Sequence, residues 1–195
     1  MENSMRKLLL ASALCAATLL PNFANAADYT IDREGTHAFI NFKIKHLGYS
    51  WLTGTFKDFN GKFSYDDKSI DSSKVNVVIQ TASIDSNHAE RDKHLKGDDF
   101  LDVKKFPTST FTSTKYTPID ETHGTLTGEF TLHGVTKTIS FPIEKIGEGK
   151  DPWGGYRAGF SGNTSLKLKD YGIDFNLGPA STEVFLELHI EGVRQ

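Results

Sequence analysis

The stretch TLTGEFTLHGVTKTISFPI, residues 125–143, decides the fold, because apolar and polar residues alternate along two runs that meet at a short turn. A period of two is typical of β-strands with one buried face. His133-Gly134 supplies a glycine for the left-handed backbone that a two-residue hairpin turn requires. The stretch therefore predicts an antiparallel hairpin. Its inward faces are formed by Leu126, Phe130 and Leu132 on the first strand and by Ile139, Phe141 and Ile143 on the second.

The same alternation continues over most of the chain. It recurs in residues 36–46, 74–81, 156–168 and 183–192, with shorter strands predicted at 51–56, 62–65 and 109–116. This pattern predicts about eight strands. Since nearly all of them have a single apolar face, they cannot form a parallel sheet covered by helices on both sides.

The strands must therefore close on themselves or stack as two sheets. Gly128, Gly159 and Gly162 lie within strand patterns, where glycine is typical of bulges and barrel corners. We predict an all-β fold, an antiparallel barrel of about eight strands. A two-sheet sandwich is the alternative that the pattern leaves open.

The N-terminal segment predicts export. Arg6 and Lys7 precede an apolar run from Leu8 to Leu20, and residues 24–26 have the A-x-A form of a signal-peptidase site. We expect residues 1–26 to be a signal peptide cleaved after Ala26, and residues 27–195 to form one periplasmic domain. No run reaches the roughly 18 apolar residues of a spanning helix, so we expect no membrane span.

Composition restricts cross-links and partners. Cys15, the only cysteine, leaves with the signal peptide, so the domain must be held by its core without disulfides. The formal net charge is −3, and removing Glu2, Arg6 and Lys7 makes it one unit more negative. This charge argues against a nucleic-acid partner.

The stretch HAERDKHLKGDDFLDVKKFP, residues 88–107, concentrates charge and histidine. Asn87 and Glu90 have capping-box spacing, and Gly97 is placed to end a helix. We predict one short helix over residues 87–96, held over one end of the barrel by Leu95 and Phe100.

Metal binding and catalysis have weak support in the sequence. The pairs His88 with Asp92 and Glu90 with His94 fall on different helix faces, and no H-E-x-x-H motif occurs. The mature chain also has no cysteine nucleophile, no G-x-S-x-G elbow and no phosphate-binding loop. We expect no catalytic residues, no metal and no cofactor.

Histidines at strand ends leave a different function open. His37 and His46 flank the first long strand and could act as bases, although such histidines are more often hydrogen-bonded structural residues. A metal-dependent enzyme or redox partner that uses helix and strand histidines is the alternative to a binding protein.

The inward-facing positions are nearly free of ionisable groups, so they form either a filled core or an apolar pocket. A ten-residue strand is roughly 33 Å long, which suits an elongated apolar ligand. The candidate lining residues are Ile40, Phe42, Ile44, Val77, Ile79, Leu126, Phe130, Leu132, Phe141, Phe160, Leu166, Val184, Leu186 and Leu188.

A set of ordered motifs resembles the YceI-like family, exported bacterial proteins described as polyisoprenoid-binding and lipocalin-like. The likeness covers essentially the whole mature chain. The motifs are residues 32–37, FKIKHLGYSWLTGTFKDFNG (42–61), NHAERDKHL (87–95), DDFLDVKKFP (98–107), LHGVTK (132–137) and KDYGI (169–173).

The resemblance implies an extended eight-stranded lipocalin-like barrel with a helix near one end and an apolar tunnel. The implied ligand is an isoprenoid or other long-chain amphiphile, including a quinone-like one, and the implied assembly is a periplasmic homodimer. Arg91 and His94 match the helix motif, and with His46 they are candidate head-group contacts; a purely structural role is the alternative. Tyr171, where the family commonly has Phe, and Lys169, where arginine is frequent, put the head-group preference in doubt.

Overall fold

The computed structural model of the protein describes residues 26–67 and 69–195. Residues 1–25 of the predicted signal peptide therefore lie outside the described residues. The described chain forms eleven strands: β1 Ala27–Ile31, β2 Phe39–His46, β3 Ser50–Phe56, β4 Phe59–Tyr65, β5 Lys74–Gln80, β6 Ile84–Asp85, β7 Thr108–Pro118, β8 His123–Leu132, β9 Val135–Lys150, β10 Tyr156–Lys167 and β11 Glu183–Arg194. The α-helix α1 is Ala89–Leu95, and short 3-10 helices lie at Ile70–Ser72, Thr81–Ser83, Leu168–Tyr171 and Pro179–Ser181.

The strands form one closed antiparallel barrel. Their hydrogen-bonded order is β1-β4-β5-β7-β8-β9-β10-β11-β2-β3-β6, and β1 also pairs with β11, which closes the ring. Three positions in the barrel wall are each occupied by two short strands, one after the other. These strands are β1 and β2, β3 and β4, and β5 and β6. The wall therefore has eight positions. The predicted eight-stranded barrel is confirmed, and the sandwich alternative is wrong.

β11 shows how two strands share a position. Its residues 184–189 pair with β2, and its residues 192–194 pair with β1. Residues 32–38 leave the sheet between these two strands, and Asp32 N donates to Glu191 O at 2.8 Å. The interruption was not predicted, because the alternating pattern of residues 36–46 gives no sign of a preceding strand in the same wall position.

The predicted hairpin is formed by β8 and β9. Leu132 pairs with Val135 across the turn. His133 and Gly134 have φ angles of 51° and 75°, so both adopt the left-handed backbone of a type I′ turn. This turn fixes the register that directs the apolar face of each strand into the barrel.

One of the strand glycines has the role that the sequence predicted, and a second has a role that was not predicted. The register between β9 and β10 shifts at Gly159 and Phe160, which is a bulge. Gly128 leaves room inside the barrel, because a Cβ there would lie 2.6 Å from Cζ of Phe111.

The α-helix α1 lies in the part of the chain where a short helix was predicted, but its cap is different. His88, not Asn87, is the N-cap residue, and its Nδ1 accepts a hydrogen bond from Arg91 N at 3.2 Å. Asn87 instead has a φ of 62°. Leu95 and the buried Phe100 pack on the barrel core, as expected. No helix of the described residues is long and apolar enough to cross a bilayer.

Candidate functional site

The barrel encloses two adjoining cavities with apolar walls. The helix-side chamber, lined by residues that include Ile44, Leu95 and Leu166, has a volume of about 290 Å³. The distal chamber, lined by residues that include Phe63 and Phe141, has a volume of about 130 Å³. Their walls meet at four shared residues, Ile40, Ile79, Phe130 and Leu186.

Every predicted lining residue lies on the wall of a chamber. Besides the four shared residues, the helix-side chamber contains Phe42, Ile44, Leu132, Leu166 and Val184, and the distal chamber contains Val77, Leu126, Phe141, Phe160 and Leu188. Alternation along each strand brings these side chains together from six strands. Their contact with a ligand stays a prediction.

The residues that line the distal chamber are all buried or half-buried. Its wall includes Tyr65, whose hydroxyl accepts a hydrogen bond from Lys145 Nζ at 2.9 Å. Lys145 Nζ also donates to Glu148 at 2.7 Å. Burial alone would lower the pKa of Lys145, but the hydrogen bonds to Glu148 and Tyr65 raise it above its ordinary value. The ion-paired Lys145 therefore lies next to the wall of the distal chamber.

The helix-side chamber reaches the surface. Two of its lining residues, His46 at the end of β2 and His94 on α1, are exposed, whereas the others are buried or half-buried. We call the surface between these two histidines the mouth. The predicted head-group residues His46, Arg91 and His94 all line this chamber.

Arg91 and His94 also make contacts within the protein. Arg91 donates from Nε to Ser86 Oγ at 2.8 Å and from Nη2 to Ser86 O at 2.6 Å. His94 Nε2 lies 3.0 Å from Asp99 Oδ2, and its ring meets Phe100 and Phe175 edge-on. The guanidinium is therefore held at one orientation in the chamber wall, and these contacts serve the structure whether or not a ligand is bound.

Sequence reasoning missed several wall residues of the helix-side chamber that come from irregular segments. Phe100 and Leu101 follow α1, and Ile173 and Leu177 lie in the segment before β11. The only sequence signal was their apolar character, since such segments have no period that tells which way a side chain points.

A charged cluster lies where β1 ends. Arg157 Nη1 donates to Asp32 at 2.5 Å and to Glu191 at 2.6 Å, and its Nε donates to Asp151 at 2.9 Å. His37 Nδ1 lies 3.0 Å from Asp32 Oδ2. Hydrogen bonds from His37 and then Arg157 lower the pKa of Asp32 to about 2.

The same cluster is the candidate metal site among the described residues. Ligand atoms of Asp32, His37 and Glu191 lie within 4.8 Å of one another. The Arg157 guanidinium already holds both carboxylates, so a cation of the protein itself occupies the place that a metal would take. The structure therefore does not favour the metal alternative at this cluster.

The histidines that a metal-dependent enzyme or redox partner would use have separate roles in the structure. His88 caps α1 and His94 faces Asp99, while His37 belongs to the charged cluster at the end of β1. The departures at Tyr171 and Lys169 lie outside both chamber walls.

The fold and interior define a class: small antiparallel β-barrels that enclose an apolar interior. The chain matches the YceI-like domain over residues 29–192 and belongs to this family. It is 58% identical over 191 residues to the UPF0312 protein of Azotobacter vinelandii, an alignment that covers 98% of this chain and 100% of that protein.

Solved structures agree with the family. The Campylobacter jejuni YCEI protein is 35% identical, with a TM-score of 0.71 over 78% of this chain and 90% of that one. A Saccharophagus degradans domain, described as polyisoprenoid-binding and implicated in plant cell wall breakdown, has a TM-score of 0.62 over 87% of this chain and 99% of its own. It is 16% identical, so this likeness shows the fold alone.

Proposed function

We propose that the protein is a periplasmic binding or carrier protein for a polyisoprenoid or a similar long-chain amphiphile, including a quinone-like one. The observation that carries the proposal is the pair of adjoining apolar chambers, one of which reaches the surface at the mouth. In this function the protein performs no catalysis and needs no cofactor.

The energetics favour a long chain. Burying one five-carbon isoprene unit contributes roughly 3 to 4 kcal/mol before costs, at about 0.8 kcal/mol per carbon. Association costs about 4 to 15 kcal/mol, and micromolar affinity corresponds to about −8 kcal/mol. Several units are therefore needed, which requires both chambers rather than one.

The chambers also give the ligand an orientation. An apolar tail fits the apolar distal chamber, and a head group belongs at the mouth beside His46, Arg91 and His94. A fixed guanidinium favours an anionic or strongly accepting oxygen, such as that of a phosphate or a quinone. Burial of the tail would supply the affinity, and the head-group contacts the selectivity.

The family supports the wider proposal. The Saccharophagus degradans domain described as polyisoprenoid-binding has the same fold. The basic and apolar start of the chain supports export to the periplasm. We further propose a homodimer, for which the support is the resemblance to the family.

The experiment is extraction of the protein purified without detergent, followed by mass spectrometry of the extract and metal analysis of the protein. We expect a long-chain lipid and no stoichiometric metal. A Phe130→Glu variant should lose the lipid, and Leu186→Trp tests the same junction without burying a charge. Stoichiometric metal with empty chambers would refute the proposal and favour a metal-dependent enzyme or redox partner.

A further inference from the structure

The turn between β2 and β3 carries exposed apolar side chains beside the mouth. His46, which lines the helix-side chamber, directly precedes Leu47. Tyr49 is 87% exposed, and Leu47 and Trp51 are 52% and 49% exposed. Large exposed side chains grouped in one place are typical of an interaction surface. We call Leu47, Tyr49 and Trp51 the docking tip.

Two lysines lie beside the docking tip. Lys43 Nζ and Lys45 Nζ lie 5.3 Å and 5.8 Å from the centre of the Trp51 ring. Residues 39–56 contain these two lysines and no acidic residue, although the chain as a whole is negative. Aromatic rings with neighbouring lysines are the combination that proteins place at the boundary between lipid and water.

One hairpin joins this surface to the chamber. Ile44 and Leu52 are cross-strand partners that line the helix-side chamber. Lys45 and Trp51, the next pair, have the opposite phase and face outward. Whatever binds the docking tip is therefore held next to the mouth.

The other end of the barrel has exposed apolar residues in the opposite electrostatic setting. Ile119 is followed by Asp120 and Glu121, and Trp153 N donates to the carboxylate of Asp151. The Arg157 guanidinium lies 5.6 Å from the centre of the Trp153 ring, but three carboxylates bind it. Carboxylates repel an anionic surface, whereas the lysines beside the docking tip attract one. Charge therefore favours the mouth end.

We propose that the docking tip binds the surface of an anionic lipid bilayer and thereby brings the mouth to the membrane. The purpose of docking, exchange of a lipid between bilayer and chamber, rests on the proposed function. Docking itself is measured without any ligand in the chamber.

The two tryptophans report on the two ends separately. Trp153→Phe leaves Trp51 as the only indole, and Trp51→Phe leaves Trp153. Each variant is mixed with vesicles of phosphatidylcholine alone or of equal parts phosphatidylcholine and phosphatidylglycerol. We expect the emission of Trp51 to shift to the blue with the anionic vesicles and to return at high salt, while Trp153 does not shift.

Surface variants test the same contact by co-sedimentation with the anionic vesicles. Lys43→Gln and Lys45→Gln should each weaken binding about fivefold, and Tyr49→Glu should weaken it further. Ile119→Glu is the matched control at the other end and should bind like the wild type. All variants keep the same N terminus, so any contribution of residues 1–26 is common to them.

Three results would overturn docking: no shift of Trp51 at low salt, a shift of Trp153 instead, or wild-type binding by Tyr49→Glu. Trp51 could instead be shielded from water without vesicles, in a dimer that Tyr49→Glu dissociates. That result would assign the docking tip to contact with a second copy of this chain. Tyr49→Glu should keep its extractable lipid. A wild-type protein that carries lipid but does not dock refutes this inference alone, whereas a wild-type protein that docks normally with empty chambers refutes the proposed function alone.

Discussion

Phe130 of β8 and Leu186 of β11 lie on different strands, and each lines both chambers. They mark the junction between the helix-side chamber and the distal chamber. A ligand longer than the helix-side chamber must pass between them. The length of the ligand is therefore set here, and the polarity of its head group at the mouth.

Leu186→Trp should shorten the ligand that the protein retains. The larger ring fills the junction, so a long chain loses the burial of its distal carbons at about 0.8 kcal/mol each. Titration with a series of prenols of increasing length should show wild-type affinity for the shortest and a plateau for the longer ones. His189→Trp, which is exposed on the same strand, is the control; equal chain-length dependence in all three proteins would contradict a continuous binding site.

Gly134→Ala should destabilise the fold by about 1 to 3 kcal/mol, because the backbone at this position is left-handed and an added Cβ would crowd a neighbouring side chain. A Cβ at Gly134 would lie 2.5 Å from Cε1 of Phe106, and the φ of Gly134 is 75°. Gly147→Ala in β9 is the matched control, because no atom lies within 4 Å of its added Cβ. Urea unfolding measures both; an equal free energy of unfolding in the two variants would contradict the requirement for glycine at this position.

Arg157→Leu should lower the free energy of unfolding by about 1 to 3 kcal/mol, since three carboxylates then face one another without their cation. These carboxylates come from the end of β1, the loop after β9, and β11, so the loss should open the barrel where β1 meets β11. Arg157→Lys keeps the positive charge but loses the forked arrangement of guanidinium donors. Its free energy of unfolding should therefore lie between those of the wild type and Arg157→Leu. Hydrogen exchange checks the location: unchanged protection of the β1 amides would exclude a local effect.

The stability that Asp32 provides should depend on pH. Its pKa of about 2 lies below the ordinary 3.8, so its contribution is present above pH 3.8 and is lost as pH falls toward 2. With allowance for solvent screening, this contribution is on the order of 1 to 2 kcal/mol. The difference in unfolding free energy between wild type and Asp32→Asn should therefore be constant at neutral pH and shrink below about pH 4; a constant difference down to pH 2 would contradict the assigned pairing.

Alternation was sufficient to predict the inward faces of the long strands, and together with the strand glycines it favoured a barrel over a sandwich. Ile40, Phe42 and Ile44 lie on the chamber walls because side-chain direction in a strand follows position by a period of two. The hairpin turn was predicted for a similar local reason, since His133-Gly134 supplies the backbone that the turn needs.

The missed features depend on contacts between distant parts of the chain. The interruption at residues 32–38 lies beside Arg157, 125 positions after Asp32, a pairing that no local spacing reveals. Phe100 and Leu177 line the chamber from segments without a period. The N-cap of α1 is one residue later than predicted, because Asn87 adopts the left-handed backbone and His88 accepts the capping hydrogen bond instead.

The most direct measurement of the central claim is native mass spectrometry of the wild-type protein purified without detergent. We predict a mass increment of one long-chain lipid per chain. The increment should be absent in Phe130→Glu. It should return when the extracted lipid is added back to extracted wild-type protein. Wild-type protein that shows only its own mass, both as purified and after incubation with a long-chain prenol, would contradict the claim that the two chambers form a lipid-binding site.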